Sequence, residues 1–99
     1  MKLAFIVHNQ LLAPQVLELL ESAGIDYYTR WHNAQGKGRG TEPHLGRGSF
    51  PSTNTVMMIA FDEERPLETL IHGISAANES IKRASDKIRL FQVPLERIV

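Results

Sequence analysis

Ninety-nine residues, with eleven Lys and Arg set against eleven Asp and Glu, no Cys and 42% hydrophobic residues, are expected to form one small soluble domain spanning residues 1–99, formally uncharged when His is neutral. No apolar run approaches the roughly eighteen residues of a membrane span, the apolar start is too short for a signal peptide, and without cysteine there is no disulfide framework, thiolate zinc site or thiol nucleophile. The expected compartment is the cytoplasm, and the neutral balance argues against a chain that coats nucleic acid by bulk electrostatics.

Residues 2–7 are a short apolar run rich in strand formers, ended by Asn9 and Gln10. From Pro14, the residues Val16, Leu17, Leu19, Leu20 and Ala23 form the stripe of a helix packed on a sheet, with Glu18 and Glu21 toward water and Gly24 at the helix stop. Residues 25–32 hold Tyr27, Tyr28, Thr29 and Trp31, which predicts a second strand. Residues 33–54 have little apolar content, and five of the seven glycines lie between 36 and 48, among Lys37, Arg39, His44 and Arg47, with Glu42 the only acid there. Connections in compact domains usually run about four to six residues, so a loop this long is either functional or disordered. Residues 55–61 are the clearest strand. Asp62, Glu63, Glu64 and Pro66 then suit a helix N-terminus, and Leu67, Leu70, Ile71, Ile74 and Ile81 follow at helical spacing. The polar stretch 80–87 continues that helix or forms a second turn; residues 88–93 give a fourth strand, which Pro94 closes.

The order strand, helix, strand, long loop, strand, helix, strand predicts an α+β, ferredoxin-like βαββαβ fold: a four-stranded antiparallel sheet with both helices on one face and the long loop between strands 2 and 3. Tyr27 and Trp31 are expected to share a face of the second strand, and Met57, Ile59 and Phe61 a face of the third. Apolar residues on both faces of so small a sheet suggest that subunits pack through their sheets.

Closely spaced glycines let backbone N–H groups converge on an anion while Lys37 and Arg39 supply charge, so the loop is first a candidate phosphate binder. It is not a Walker loop, because Gly36-Lys37-Gly38-Arg39-Gly40 lacks the Gly-Lys-Ser/Thr ending. His8 and His32, at the ends of neighbouring strands, with His44 in the loop, offer a weaker transition-metal site, and His72 reads as a helix-surface residue. No nucleophile elbow and no isolated carboxylate pair is present, so catalysis finds no support. The third strand also lacks the basic and aromatic pattern of an RNA-binding sheet.

Several pieces resemble the PII nitrogen-regulatory signal-transduction family: the strand at the initiator Met, the amphipathic helix, Gly36-Lys37-Gly38-Arg39 leaving the second strand, the long loop, and the ending Asp86-Lys87-Ile88-Arg89-Leu90-Phe91-Gln92-Val93-Pro94-Leu95-Glu96-Arg97. The resemblance covers nearly the whole chain in layout and implies a homotrimer with inward-packed sheets and projecting loops, the T-loops. It implies ATP, ADP or AMP in clefts between subunits, no catalysed reaction, and docking of the loop on a target such as a transporter or an enzyme. Carried over, Gly38 and Arg39 flank the ligand cleft at the loop base, beside Gly36 and Lys37 of the anion-binding reading, Lys87 faces phosphate, and Gly40, His44, Gly46, Arg47, Gly48 and Phe50 belong to the partner-binding loop.

The chain departs from that pattern in several places. Gly40 replaces the family's Gln that helps hold magnesium and 2-oxoglutarate, and residues 81–86 contain no glycine where the family has its phosphate-binding B-loop, although Lys82 and Arg83 still offer charge there. The family's modified tyrosine has no counterpart, and its C-terminal arginine segment has none before Val99. The expected protein is a PII-like regulator with a changed anionic effector; the alternative is a trimeric metal-binding tolerance or sensing protein similar to the CutA family.

Overall fold

A computed structural model describes residues 1–38 and 53–99. Four strands, β1 (Lys2–Asn9), β2 (Thr29–Ala34), β3 (Asn54–Phe61) and β4 (Arg89–Pro94), form one antiparallel sheet in the order β2-β3-β1-β4. The helices α1 (Ala13–Ser22) and α2 (Glu64–Glu79) pack over it, so the expected ferredoxin-like α+β arrangement is what the chain adopts. Among the described residues no helix is long and apolar enough to cross a membrane.

Strand alternation decides what each face of the sheet holds. On β1, Ala4, Ile6 and His8 are buried, and they lie opposite Ile59, Met57 and Thr55 of β3. With Phe61 and Ile88 these residues meet Val16 and Leu20 of α1 and Leu67, Leu70 and Ile74 of α2, which together make the core. The intervening residues Leu3, Phe5 and Val7 point the other way, toward Ala60, Met58 and Val56 on one side and Val93, Phe91 and Arg89 on the other. That second face carries no helix of the described chain, and Trp31, opposite Val56, extends it with nearly half its surface exposed (48%). Apolar residues therefore do occupy both faces.

Sequence periodicity misplaces several boundaries. The strand expected over 25–32 begins only at Thr29 and runs on to Ala34, because residues 24 and 25 are taken up in ending α1. Gly24 (φ +73°) donates to the Glu21 carbonyl at 3.0 Å and Ile25 to that of Leu20 at 2.9 Å, the paired bonds of a Schellman stop, and Ile25 buries its side chain beside Leu20. Tyr27 consequently lies outside β2 and packs edge-on against Phe61, with ring centroids 6.2 Å apart, rather than sharing a face with Trp31. Leu17, assigned to the buried stripe, is exposed. Ile81 lies beyond the end of α2 yet still packs against the core, and the polar stretch after it forms a 3₁₀ turn at Ala84–Asp86. Pro94 does not close β4 from outside but forms its last pair, with Lys2; as β4 is an edge strand, the missing N–H costs no ladder bond.

No atom lies within 4 Å of a Cβ added at Gly24, so replacing it with Ala tests backbone conformation alone. Gly24→Ala is expected to lower unfolding stability by about 1 kcal/mol, the cost of a left-handed conformation for an L side chain, measured as a urea midpoint at fixed protein concentration.

Candidate functional site: an anion cleft at the loop end of the sheet

The ends of four segments meet at one end of the sheet. The chain leaves β2 through Asn33, which has φ +59°, and Gly36 comes back against β3 so closely that a Cβ there would lie 2.5 Å from Nδ2 of Asn54. Only glycine fits this approach without moving the amide. On the return side Thr53 is tied to the end of β1: its carbonyl accepts from the Gln10 N–H at 2.9 Å, and its hydroxyl donates to Oε1 of Gln10 at 2.7 Å. Both stems of the long loop are thus fixed beside the last residues of β1.

Between those stems and the start of β4 lies a cleft of about 340 Å³ lined by Val7, His8, Asn9, Gly36, Lys37, Gly38, Asn54, Ala84, Ser85, Lys87, Arg89 and Phe91. Among the described residues three cations, Lys37, Lys87 and Arg89, line it, and no carboxylate does. The nearest acid in sequence, Asp86, is engaged elsewhere: its Oδ1 is 3.4 Å from Nδ2 of Asn9 and its Oδ2 is 3.8 Å from Nε of Arg83. A second groove, about 450 Å³ beside the end of α1, has Glu21 and Asp26 in its lining and no cation. The groove between α2 and β4 has Arg89 as its only cation among the described residues, so of these the first cleft, with three cations, suits an anion best.

Of the residues singled out from the sequence, Gly36, Lys37, Gly38 and Lys87 come together here. Lys82 and Arg83 are exposed on the approach to the 3₁₀ turn and do not line the cleft. Arg39, Gly40, His44, Gly46, Arg47, Gly48 and Phe50 lie outside the described residues. Asn9, Asn54, Ser85 and Arg89 line the cleft without having been singled out. Arg89 was accessible to alternation, standing two residues after Lys87 across the buried Ile88, whereas nothing local in the sequence signals that Asn54 meets Gly36.

Among the described residues no group of three or more His, Cys, Asp or Glu side chains could hold an ion, and His44, the third imidazole expected with His8 and His32, lies outside them. His32 is exposed on β2, while His8 is buried with its Nδ1 2.7 Å from the Asn9 carbonyl. A carbonyl can only accept, so Nδ1 carries the proton of the neutral ring. Burial pushes the His8 imidazole below its ordinary value; the Asn9 bond opposes this, and the charges of Arg30 and His32 add to it.

The geometry invites comparison with known proteins. No protein-family model matches the chain, and no curated protein matches it in sequence. Solved structures match it in shape: the fold is that of PII-like proteins. CPII of Thiomonas intermedia K12, bound to ADP and bicarbonate, superposes with a TM-score of 0.67 at 21% identity, over 97% of this chain and 88% of its own. The same nitrogen regulatory PII-like protein bound to ADP, AMP and bicarbonate gives 0.61 at 20% identity, over 99% and 94%. A candidate PII-like signalling protein from Thermus thermophilus gives 0.55 at 18% identity, over 93% and 83%.

Because the His8 value is lowered in the folded chain, the unfolded chain takes up the proton more readily. Its contribution to stability is whole above the unfolded value of 6.5 and is lost as pH falls through 6.5 toward the lower folded value. Urea midpoints measured between about pH 7.5 and pH 5 should fall with pH in the wild type and fall less steeply in His8→Gln.

Proposed function

We propose that this chain is a non-enzymatic, cytoplasmic PII-like regulator, one domain over residues 1–99, that binds an adenine nucleotide or a similar small anion in the cleft of Lys37, Lys87 and Arg89 and docks a target protein, such as a transporter or an enzyme, through the loop over 33–54. The observation that carries the reading is the convergence of Gly36, Lys37 and Gly38 with Lys87 and Arg89 on one cleft that has no carboxylate among its described lining residues. Two or more phosphate groups suit three cations better than a single carboxylate does. The nucleotides bound by CPII add support from a structure of the same fold.

The second face of the sheet supports an assembly in this reading. Leu3, Phe5, Val56 and Met58 form an apolar surface, and Phe91 continues it more than half exposed (55%) while also lining the cleft. A surface of this kind on a chain this small is covered by other copies, in this reading as a homotrimer, and a neighbouring copy would then border the cleft. Ordering a glycine-rich loop is entropically costly, so a ligand held at its stem with modest affinity can shift its population and gate the partner.

Calorimetric titration with ATP, ADP and AMP is expected to give saturable heat with at least one of them. Lys87→Ala should weaken that binding about tenfold or more, since charge-assisted bonds to phosphate are worth roughly 1.5–3 kcal/mol. No heat with any nucleotide would overturn the effector reading. For the assembly, the wild type should have three times the chain mass by light scattering and Phe5→Glu, which places a charge at the centre of the open face, should be monomeric; a monomeric wild type would refute the trimer.

A further inference from the structure

We propose that Asn78, near the end of α2, is a positioning residue for the anion cleft: its side-chain amide holds the backbone of Ile88 so that the two flanking cations, Lys87 and Arg89, are both fixed at the cleft. The proposal rests on the reading of that cleft as an anion site.

Ile88 stands one residue ahead of β4, whose last pair at this end joins Arg89 to Val7 of β1. Its side chain is 1% exposed in the core, so its N–H and C=O need partners that the sheet ladder does not supply. Asn78 supplies both. Its Oδ1 accepts from the Ile88 N–H at 2.8 Å and its Nδ2 donates to the Ile88 carbonyl at 2.8 Å, so one side chain imitates a paired strand residue. An amide is the group that fits, because it alone offers one acceptor and one donor at this spacing.

Ile88 is thereby held twice, by its side chain in the core and by its backbone on α2. In an extended chain the residues on either side of a buried one point away from the core. Lys87 and Arg89 are those residues, and both line the cleft. Asn78 does not line it and lies instead in the groove between α2 and β4 with Ile71, Ile74 and Gln92, a groove that Arg89 also borders, so it acts through the backbone of Ile88 and not on the anion. On the approach from α2 the Asp86 N–H reaches the Arg83 carbonyl at 3.0 Å and the Lys87 N–H the Ala84 carbonyl at 3.3 Å, and neither bond holds the backbone of Ile88 itself. A preorganised pair of cations binds an anion without first having to be ordered, which is the advantage the clamp confers.

The test is a thermodynamic cycle on ADP binding, using wild type, Asn78→Ala, the double variant Lys87→Ala with Arg89→Ala, and the triple variant. Asn78→Ala is expected to weaken ADP about tenfold alone and by less than twofold when both cations are already gone. Leu67→Val, which loosens the same helix about three turns away from Asn78, should keep the wild-type affinity. Equal losses in both backgrounds, or an unchanged affinity in Asn78→Ala, would overturn the proposal. If Asn78→Ala does not fold, Asn78→Asp, which keeps the acceptor and loses the donor, takes its place in the cycle.

Amide hydrogen exchange without ligand gives a separate readout. Exchange at Lys87, Ile88 and Arg89 should rise at least tenfold in Asn78→Ala while the amides of β1 and β3 keep their protection. Unchanged exchange at those three residues would overturn the clamp. If the wild type binds no ADP, the nucleotide reading falls, and the exchange result alone decides whether Asn78 holds this segment.

Discussion

The structure hangs on β1, which like β3 has a hydrogen-bonded neighbour on each side and joins β3 to β4. Because its residues alternate, the eight positions from Lys2 to Asn9 serve two surfaces at once: Ala4, Ile6 and His8 are sealed under the helices, and Leu3, Phe5 and Val7 build the open face. A slip of one residue in its pairing would exchange the two sets, placing a histidine on the apolar face and three large apolar side chains where Ala4, Ile6 and His8 now fit. The burial of Ile6 against Met57, with Phe61 and Leu70 around it, holds the register by excluding that alternative.

The cleft is a consequence of where β1 ends. Asn9 bonds the Leu11 N–H through Oδ1, approaches Asp86 through Nδ2, and accepts from His8 through its carbonyl, while Gln10 holds Thr53. Two consecutive residues therefore tie the helix start, the lip of the cleft and the returning stem of the loop to the same strand end. Asp86, held by Asn9 and Arg83, stays behind the lining, so Lys37, Lys87 and Arg89 leave the described residues of the cleft with an excess of positive charge.

Much of the layout was legible in the residues. The apolar alternation of 55–61 and the spacing of Leu67, Leu70 and Ile74 specify a strand and a helix without tertiary context, and Gly24 marks the end of α1 where its positive φ is required. Lys37 was placed near an anion by the glycines around it, and Lys87 by the resemblance of its neighbours to a known pattern. Tyr27 and Leu17 were misplaced, because periodicity reports a repeating angle and is blind to a helix stop that consumes two residues or to the width of the face that a sheet can cover.

Composition and periodicity determined the element types, their order and the presence of a basic, glycine-rich connection, since each of these depends on residues within about one helical turn or one strand. Which side chains share the cleft was decided only by the tertiary structure. Gly36 meets Asn54, Arg89 joins Lys37, and Asn78 grasps Ile88 across separations that carry no local signal. These meetings arise because antiparallel pairing brings strand ends together whatever lies between them, and because a buried backbone group must find its hydrogen bond wherever the fold provides one.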